Sequence, residues 1–140
     1  MRVMVIVKAT KESEAGVLPD EKILKAMGEF NEKLVKGGVL LAAEGLHATS
    51  KGKRVRFAGK NRTVLDGPFS ETKELIAGFW LWQVKSMTEA VEWLKRSPFE
   101  ETDVEIRPVL EPEDCFANDP SGEFRKKDQE LRQVVRSRRP

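Results

Sequence analysis

Asp66-Gly67-Pro68-Phe69-Ser70-Glu71-Thr72-Lys73-Glu74 runs directly into the apolar stretch Leu75-Ile76-Ala77-Gly78-Phe79-Trp80-Leu81-Trp82. Gly67-Pro68 forces a turn: glycine can take positive φ, proline fixes its own φ near about −65°, and a residue before proline is pushed out of the α region. Asp66 suits the start of such a turn, because its carboxylate accepts backbone N–H groups two residues on. Ser70 or Thr72 is placed to cap a short helical turn containing Glu71, Lys73 and Glu74. The apolar run is too short to span a membrane and rich in aromatics, so it reads as a strand with both faces covered.

Upstream of this junction, Arg2-Val3-Met4-Val5-Ile6-Val7-Lys8 is a β-branched run of strand length and reads as a central strand. Residues 10–18 read as a loop ending at Pro19-Asp20. Asp20 is a good N-cap, and Ile23, Leu24, Met27, Phe30 and Leu34 follow at helical spacing up to Gly37-Gly38. A second strand is expected from Val39 to His47. Lys53-Arg54-Val55-Arg56-Phe57 alternates charge with apolar residues, Gly59-Lys60-Asn61 turns it, and residues 62–65 return as the second arm of a hairpin. Downstream, Ser86-Met87-Thr88-Glu89 is a capping box for a helix carrying Ala90, Val91, Trp93 and Leu94, stopped by Pro98. Residues 103–109 form the last strand, whose alternation and Pro108 fit an edge position.

The order is strand–helix–strand, an inserted hairpin, then strand–helix–strand. Two split βαβ units with both helices on one side of an antiparallel sheet make a ferredoxin-like α+β fold, βαββαβ with an inserted β-hairpin. Trp80 and Trp82 point to one face of the sheet while Phe79 and Leu81 point to the other. Two helices cover one face only. A second sheet is the simplest cover for the other, which predicts a homodimer packed face to face.

The 140 residues fit one domain with a real core, and 39% hydrophobic and 34% charged residues are ordinary for a globular chain. The brief apolar core at residues 3–7 lacks a following cleavage site and reads as a strand, no apolar run reaches spanning length, and a cytoplasmic location is expected. One cysteine, Cys115, and one histidine, His47, exclude an intrachain disulfide and a Cys-rich metal cluster, so neither metal nor cofactor is expected. No phosphate-binding glycine pattern is present. The expected division is a domain at residues 1–111 and a basic, partly helical extension at 112–140. Residues 121–140 carry seven Lys/Arg against three Asp/Glu, and Phe124, Leu131, Val134 and Val135 form a sparse apolar side there. Such a stripe favours docking on protein, and nucleic acid is not the expected partner.

These pieces resemble the YCII-related family in its DGPF branch, through the opening strand, Gly45-Leu46, the run from Asp66 to Glu74, Gly78-Phe79, the helix at 90–94 and Glu105-Ile106-Arg107-Pro108-Val109. The resemblance covers roughly residues 1–110 and implies a dimeric α+β barrel. It also implies a His–Asp pair in a pocket, for which His47 and Asp66 are the candidates. The branch is associated with sigma factors of the extracytoplasmic-function type, which implies a regulatory setting.

His47 has an imidazole suited to general acid–base chemistry near neutrality, and Asp66 is its expected partner. Glu71, Lys73, Glu74 and Arg107 are the expected substrate-binding residues, with Glu44 an alternative ion-pair partner for Arg107. Each candidate also has a plainer role: a solvated loop histidine, an aspartate that only holds its turn, and a charged surface run. Two classes of function follow. One is a small enzyme doing lyase- or isomerase-type chemistry on a small organic acid; the alternative is a non-catalytic dimeric binding or regulatory protein.

Overall fold

The computed structural model describes residues 1–139. The chain divides into two compact units, one spanning Met1–Pro108 and a second beginning at Val109. The first contains β1 (Arg2–Lys8), a one-turn helix α1 (Lys11–Glu14), α2 (Glu21–Lys36), β2 (Leu40–Gly45), β3 (Lys53–Ala58), β4 (Asn61–Asp66), β5 (Ile76–Gln83), α3 (Met87–Lys95) and β6 (Val104–Pro108). The second contains α4 (Pro112–Cys115) and α5 (Glu123–Ser137).

Four strands form one antiparallel sheet in the order β2-β5-β1-β6, and β3 pairs with β4 in a separate two-stranded ribbon. With the ribbon set aside, this is the ferredoxin-like order, the two most apolar strands lying at the centre. Their register places Val5 opposite Trp80 and Val3 opposite Trp82 on one side, and Met4 opposite Leu81 and Ile6 opposite Phe79 on the other. The first side is buried beneath Phe30 and Leu34 of α2 and Ala90 of α3. Phe30 meets both tryptophans edge-on, at centroid distances of 5.7 and 6.3 Å. Such aromatic pairs gain about 0.5–1.5 kcal/mol beyond their buried area.

Helices α2 and α3 begin where side-chain caps allow. Asp20 Oδ1 accepts the Ile23 N–H at 2.9 Å, and Ser86 Oγ accepts the Glu89 N–H at 3.1 Å. The Glu89 carboxylate reaches past the cap to the Lys85 N–H at 2.6 Å, so the expected box closes one residue early. The ribbon turns at Gly59-Lys60, with Gly59 at φ +61°, the first central position at which a type II′ hairpin requires glycine.

Several local expectations are corrected. The segment before Asp20 contains α1, capped reciprocally by Thr10 and Ser13. β2 ends at Gly45, which leaves His47 in the following loop. Residues 72–74 form a turn with no helix; Glu71 accepts the Glu74 N–H at 2.9 Å and takes φ +70°. A non-glycine residue in that left-handed region costs on the order of 1 kcal/mol. Gly67 is demanded by proximity and not by positive φ, because a Cβ there would lie 1.7 Å from the Thr49 carbonyl oxygen.

Within the second unit, Arg125 binds Glu113 at 2.6 Å and its N–H donates to Asp119 Oδ2 at 3.0 Å. Phe124, Leu131, Val134 and Val135 on α5 are exposed.

Candidate functional site

Three chain segments far apart in sequence are tied together beside the end of β2. Thr49 follows His47 by two residues in a 3-10 turn, Thr49–Lys51. Glu14, at the end of α1, takes Thr49 with both carboxylate oxygens: Oε1 accepts the backbone N–H at 3.1 Å and Oε2 accepts the hydroxyl proton at 2.5 Å. The same Thr49 hydroxyl oxygen accepts the Phe69 N–H at 3.0 Å. Gly67 completes the seam, its N–H donating to the Gly52 carbonyl at 3.1 Å. A hydrogen bond to a charged group contributes about 1.5–3 kcal/mol, so Glu14 is the strong link of this knot.

The knot holds the Asp66–Phe69 turn against the His47 loop and opens a cleft of about 510 Å³. His47, Thr49, Lys51, Arg54, Phe69 and Glu74 supply its polar and aromatic lining. The Arg54 guanidinium stacks over the Phe69 ring at 3.9 Å from the centroid, which fixes a positive charge in the wall. Beside it, Glu71 shares a side-chain hydrogen bond with Glu74. That bond, and then the neighbouring Glu74 charge, raise the Glu71 pKa above the ordinary carboxylate value, while Arg54 pulls it back. The cleft therefore offers two cations, Arg54 held over Phe69 and Lys51 exposed, an acidic pair and one exposed imidazole. A second cleft, of about 400 Å³, is also lined by His47, with Val17, Leu18 and Pro19.

The expected site residues fall into two groups. His47 and Glu74 line the cleft, with Glu71 bonded to Glu74 behind it. Asp66 stands apart, because Lys53 holds its carboxylate at 2.5 Å across the ribbon and its side chain is 75% exposed. Among the described residues His47 and Asp66 share no hydrogen bond or ion pair. Lys73 is exposed and likewise makes no hydrogen bond or ion pair among the described residues. Arg107 lies on β6, the sheet edge opposite β2, three strand spacings or about 14 Å away in the sheet. It approaches Glu105 at 3.9 Å, and Glu105 also binds Lys8 at 3.3 Å, so the Glu44–Arg107 pair does not form. Glu14, Thr49 and Arg54 were missed by sequence reasoning. The only signal available for Arg54 was its position in an alternating arm that ends beside the Asp66 turn.

Among the described residues no group of three His, Cys, Asp or Glu side chains is placed to hold a metal ion, and no helix is long and apolar enough to cross a membrane.

A ferredoxin-like sheet, an inserted ribbon and a polar cleft at the Asp-Gly-Pro-Phe turn define a small α+β domain of a recognisable class. The chain belongs to the YCII-related domain family, whose model matches residues 1–113. It is similar to an uncharacterised protein of Rhizobium meliloti (strain 1021), 32% identical over 76 residues. That match covers 54% of this chain and 61% of the relative, so the chain spans less than two thirds of the relative's length. Among solved structures it is similar to 5-chloro-2-hydroxyhydroquinone dehydrochlorinase from Burkholderia phenoliruptrix AC1100 in complex with 2,5-dihydroxybenzoquinone, with a TM-score of 0.42 and 16% identity. That alignment covers 81% of this chain and 99% of the other.

Proposed function

We propose that the His47 cleft binds a small organic acid and that His47 moves a proton on it, in a lyase- or isomerase-type step. The observation that carries this reading is the convergence of a lone exposed imidazole with Lys51, Arg54 and the Glu71–Glu74 pair on one cleft of about 510 Å³. Lys51 and Arg54 supply the charge that holds a carboxylate, Arg54 being pre-oriented by Phe69. An exposed histidine exchanges protons near neutral pH and can act as base and then acid. Glu71, whose pKa its hydrogen bond to Glu74 raises, places a second proton carrier beside the cleft. Asp66 joins His47 in this reading only after leaving Lys53.

The working unit in this proposal is a homodimer closed through the uncovered sheet face, where Met4, Ile6, Phe79 and Leu81 are half-buried in the single chain. A specific contact there buries more than about 1,000 Å².

The lone imidazole makes the test direct. The His47 ring signals are followed by NMR while a panel of small carboxylic and keto acids is added in D₂O. The reading expects at least one acid to shift the His47 signals saturably and to exchange a carbon-bound proton for deuterium. That exchange must be lost in His47→Gln and weakened in Arg54→Leu. Binding without exchange in any member of the panel supports the alternative of a non-catalytic binding protein. That second reading is favoured by the Lys53–Asp66 ion pair, which leaves His47 without its expected carboxylate. If no acid moves the His47 signals, both readings of this cleft fail.

A further inference from the structure

We propose a second small-molecule site, separate from the His47 cleft: an apolar pocket between α2 and the helix-covered side of the sheet, fitted to a flat, uncharged aromatic molecule carrying one carbonyl or hydroxyl oxygen. The pocket measures about 360 Å³, at the small end of ligand sites. That volume suits one or two rings and excludes a long chain.

Its walls are mostly apolar and include Met27 of α2, Trp80 and Phe99. Trp80 and Phe99 stand nearly perpendicular, at 77° and 5.9 Å between centroids. A flat ring entering there stacks on one and meets the other edge-on, the two arrangements aromatic rings prefer. Leu24, 60% exposed, and Ile23 line the same pocket and leave apolar surface open to water that a ligand would cover.

Asn31 supplies the polar specificity. It interrupts the apolar side of α2, one turn beyond Met27, and lines the pocket. An indole N–H only donates, so the Asn31 atom that meets Trp80 Nε1 at 2.9 Å is the carbonyl oxygen. With that end fixed, the amide nitrogen presents N–H donors, and an oxygen acceptor on the ligand is the matching group. Pairing the indole is not by itself a sufficient reason for Asn31. One alternation further along β5, the Trp82 indole N–H is buried with no partner, so this core tolerates an unpaired one. The only charged lining residue is Glu44, an exposed carboxylate. It disfavours an anion, whereas Lys51 and Arg54 in the His47 cleft favour one. The two sites therefore select opposite ligands, a neutral aromatic and an organic acid.

The test uses the intact chain labelled with ¹⁵N. Three tryptophans give three indole N–H signals, and the Asn31 amide gives its own pair. 4-Hydroxyacetophenone, toluene and benzoate serve as probes. The proposal expects 4-hydroxyacetophenone to shift the Trp80 indole and Asn31 amide signals saturably in the millimolar range or below, leaving Trp93 unmoved. Benzoate should bind more weakly there. Asn31→Asp keeps an oxygen for Trp80 but removes the donors; it should weaken 4-hydroxyacetophenone at least about tenfold, the scale of one lost hydrogen bond in an apolar site, and leave toluene unaffected. Unmoved Trp80 and Asn31 signals overturn the proposal, as does equal binding by Asn31→Asp. Shifts confined to His47 also overturn it, and they speak only for the other cleft, so the two readings fail independently.

Discussion

Leu81 and Trp82 are consecutive residues of one strand, yet they live in different surroundings. Trp82 is fully buried beneath α2 and α3, whereas Leu81, with Met4, Ile6 and Phe79, lies half-buried on the face that neither α2 nor α3 covers. Both sides of these central strands are apolar, so hydrophobicity alone does not separate a finished core from an unfinished one. What separates them is connectivity: both crossovers place their helices on the same side, and the second side is left with alternate residues of equal apolarity and no helix of the Met1–Pro108 unit to meet. An apolar face of that kind is a statement about assembly.

Replacing a residue on each side breaks the comparison most directly. Trp82→Ala removes the largest buried side chain and should cost about 3–5 kcal/mol in urea unfolding. A loss below about 1 kcal/mol would mean that the helix-covered layer is not the core. Leu81→Asp, one residue away, should leave the fold of the single chain nearly intact and act on association instead. Light scattering should fall from about twice 15.9 kDa to 15.9 kDa. If wild type already measures 15.9 kDa, the open face is not an interface.

A smaller effect is expected where neither face is involved. Thr49→Val keeps the shape of the side chain but deletes the hydroxyl that links Glu14 to the Phe69 N–H, and should cost about 1–3 kcal/mol. Hydrogen exchange should speed up first at Phe69 and Gly67, while amides of β1 and β5 keep their protection. Equal acceleration in all of them would show that the turn and the sheet open together.

The smallest effect is electrostatic. Glu71 should titrate above an ordinary glutamate, chiefly because of its hydrogen bond to Glu74, and Glu74→Leu should bring its midpoint down. The folded chain then holds this proton more tightly than the unfolded chain. The contribution therefore favours the fold at low pH and is lost as pH rises through the raised midpoint. NMR of the Glu71 carboxyl carbon reads the shift, and an unchanged midpoint in Glu74→Leu would remove the pair.

The sheet was legible because its signals are local. Period-two alternation in β1 and β5, helical spacing in α2, and caps at Asp20 and Ser86 each lie within a few residues and agree with one another. The candidate site was only half legible. His47 and Glu74 stood out by residue type, but Glu14 reaches Thr49 across 35 positions, and no periodicity encodes that contact. Arg54 looked like one charge of an alternating arm, and only the folded ribbon shows it seated on Phe69. Gly67 was flagged correctly and explained wrongly, since the sequence cannot show that a carbonyl from residue 49 occupies the space of its missing Cβ. Asp66 was chosen through the resemblance and its place at the end of the hairpin, and Arg107 as a charge in an otherwise apolar strand. The cross-strand register gives the first to Lys53, and the neighbouring charge on its own strand gives the second to Glu105.

The two outer strands of the sheet carry a consequence for growth. A free strand edge is a template on which further chains can add without limit. β6 ends at Pro108, which has no N–H to donate, and its Glu105 and Arg107 carry charge along the strand. β2 is interrupted by an irregularity between Leu40 and Ala42, which disturbs a regular ladder at its start. Neither border invites endless lateral addition, whereas a contact between two broad faces consumes the surface that makes it. In the proposed face-to-face dimer, self-association would therefore stop at two.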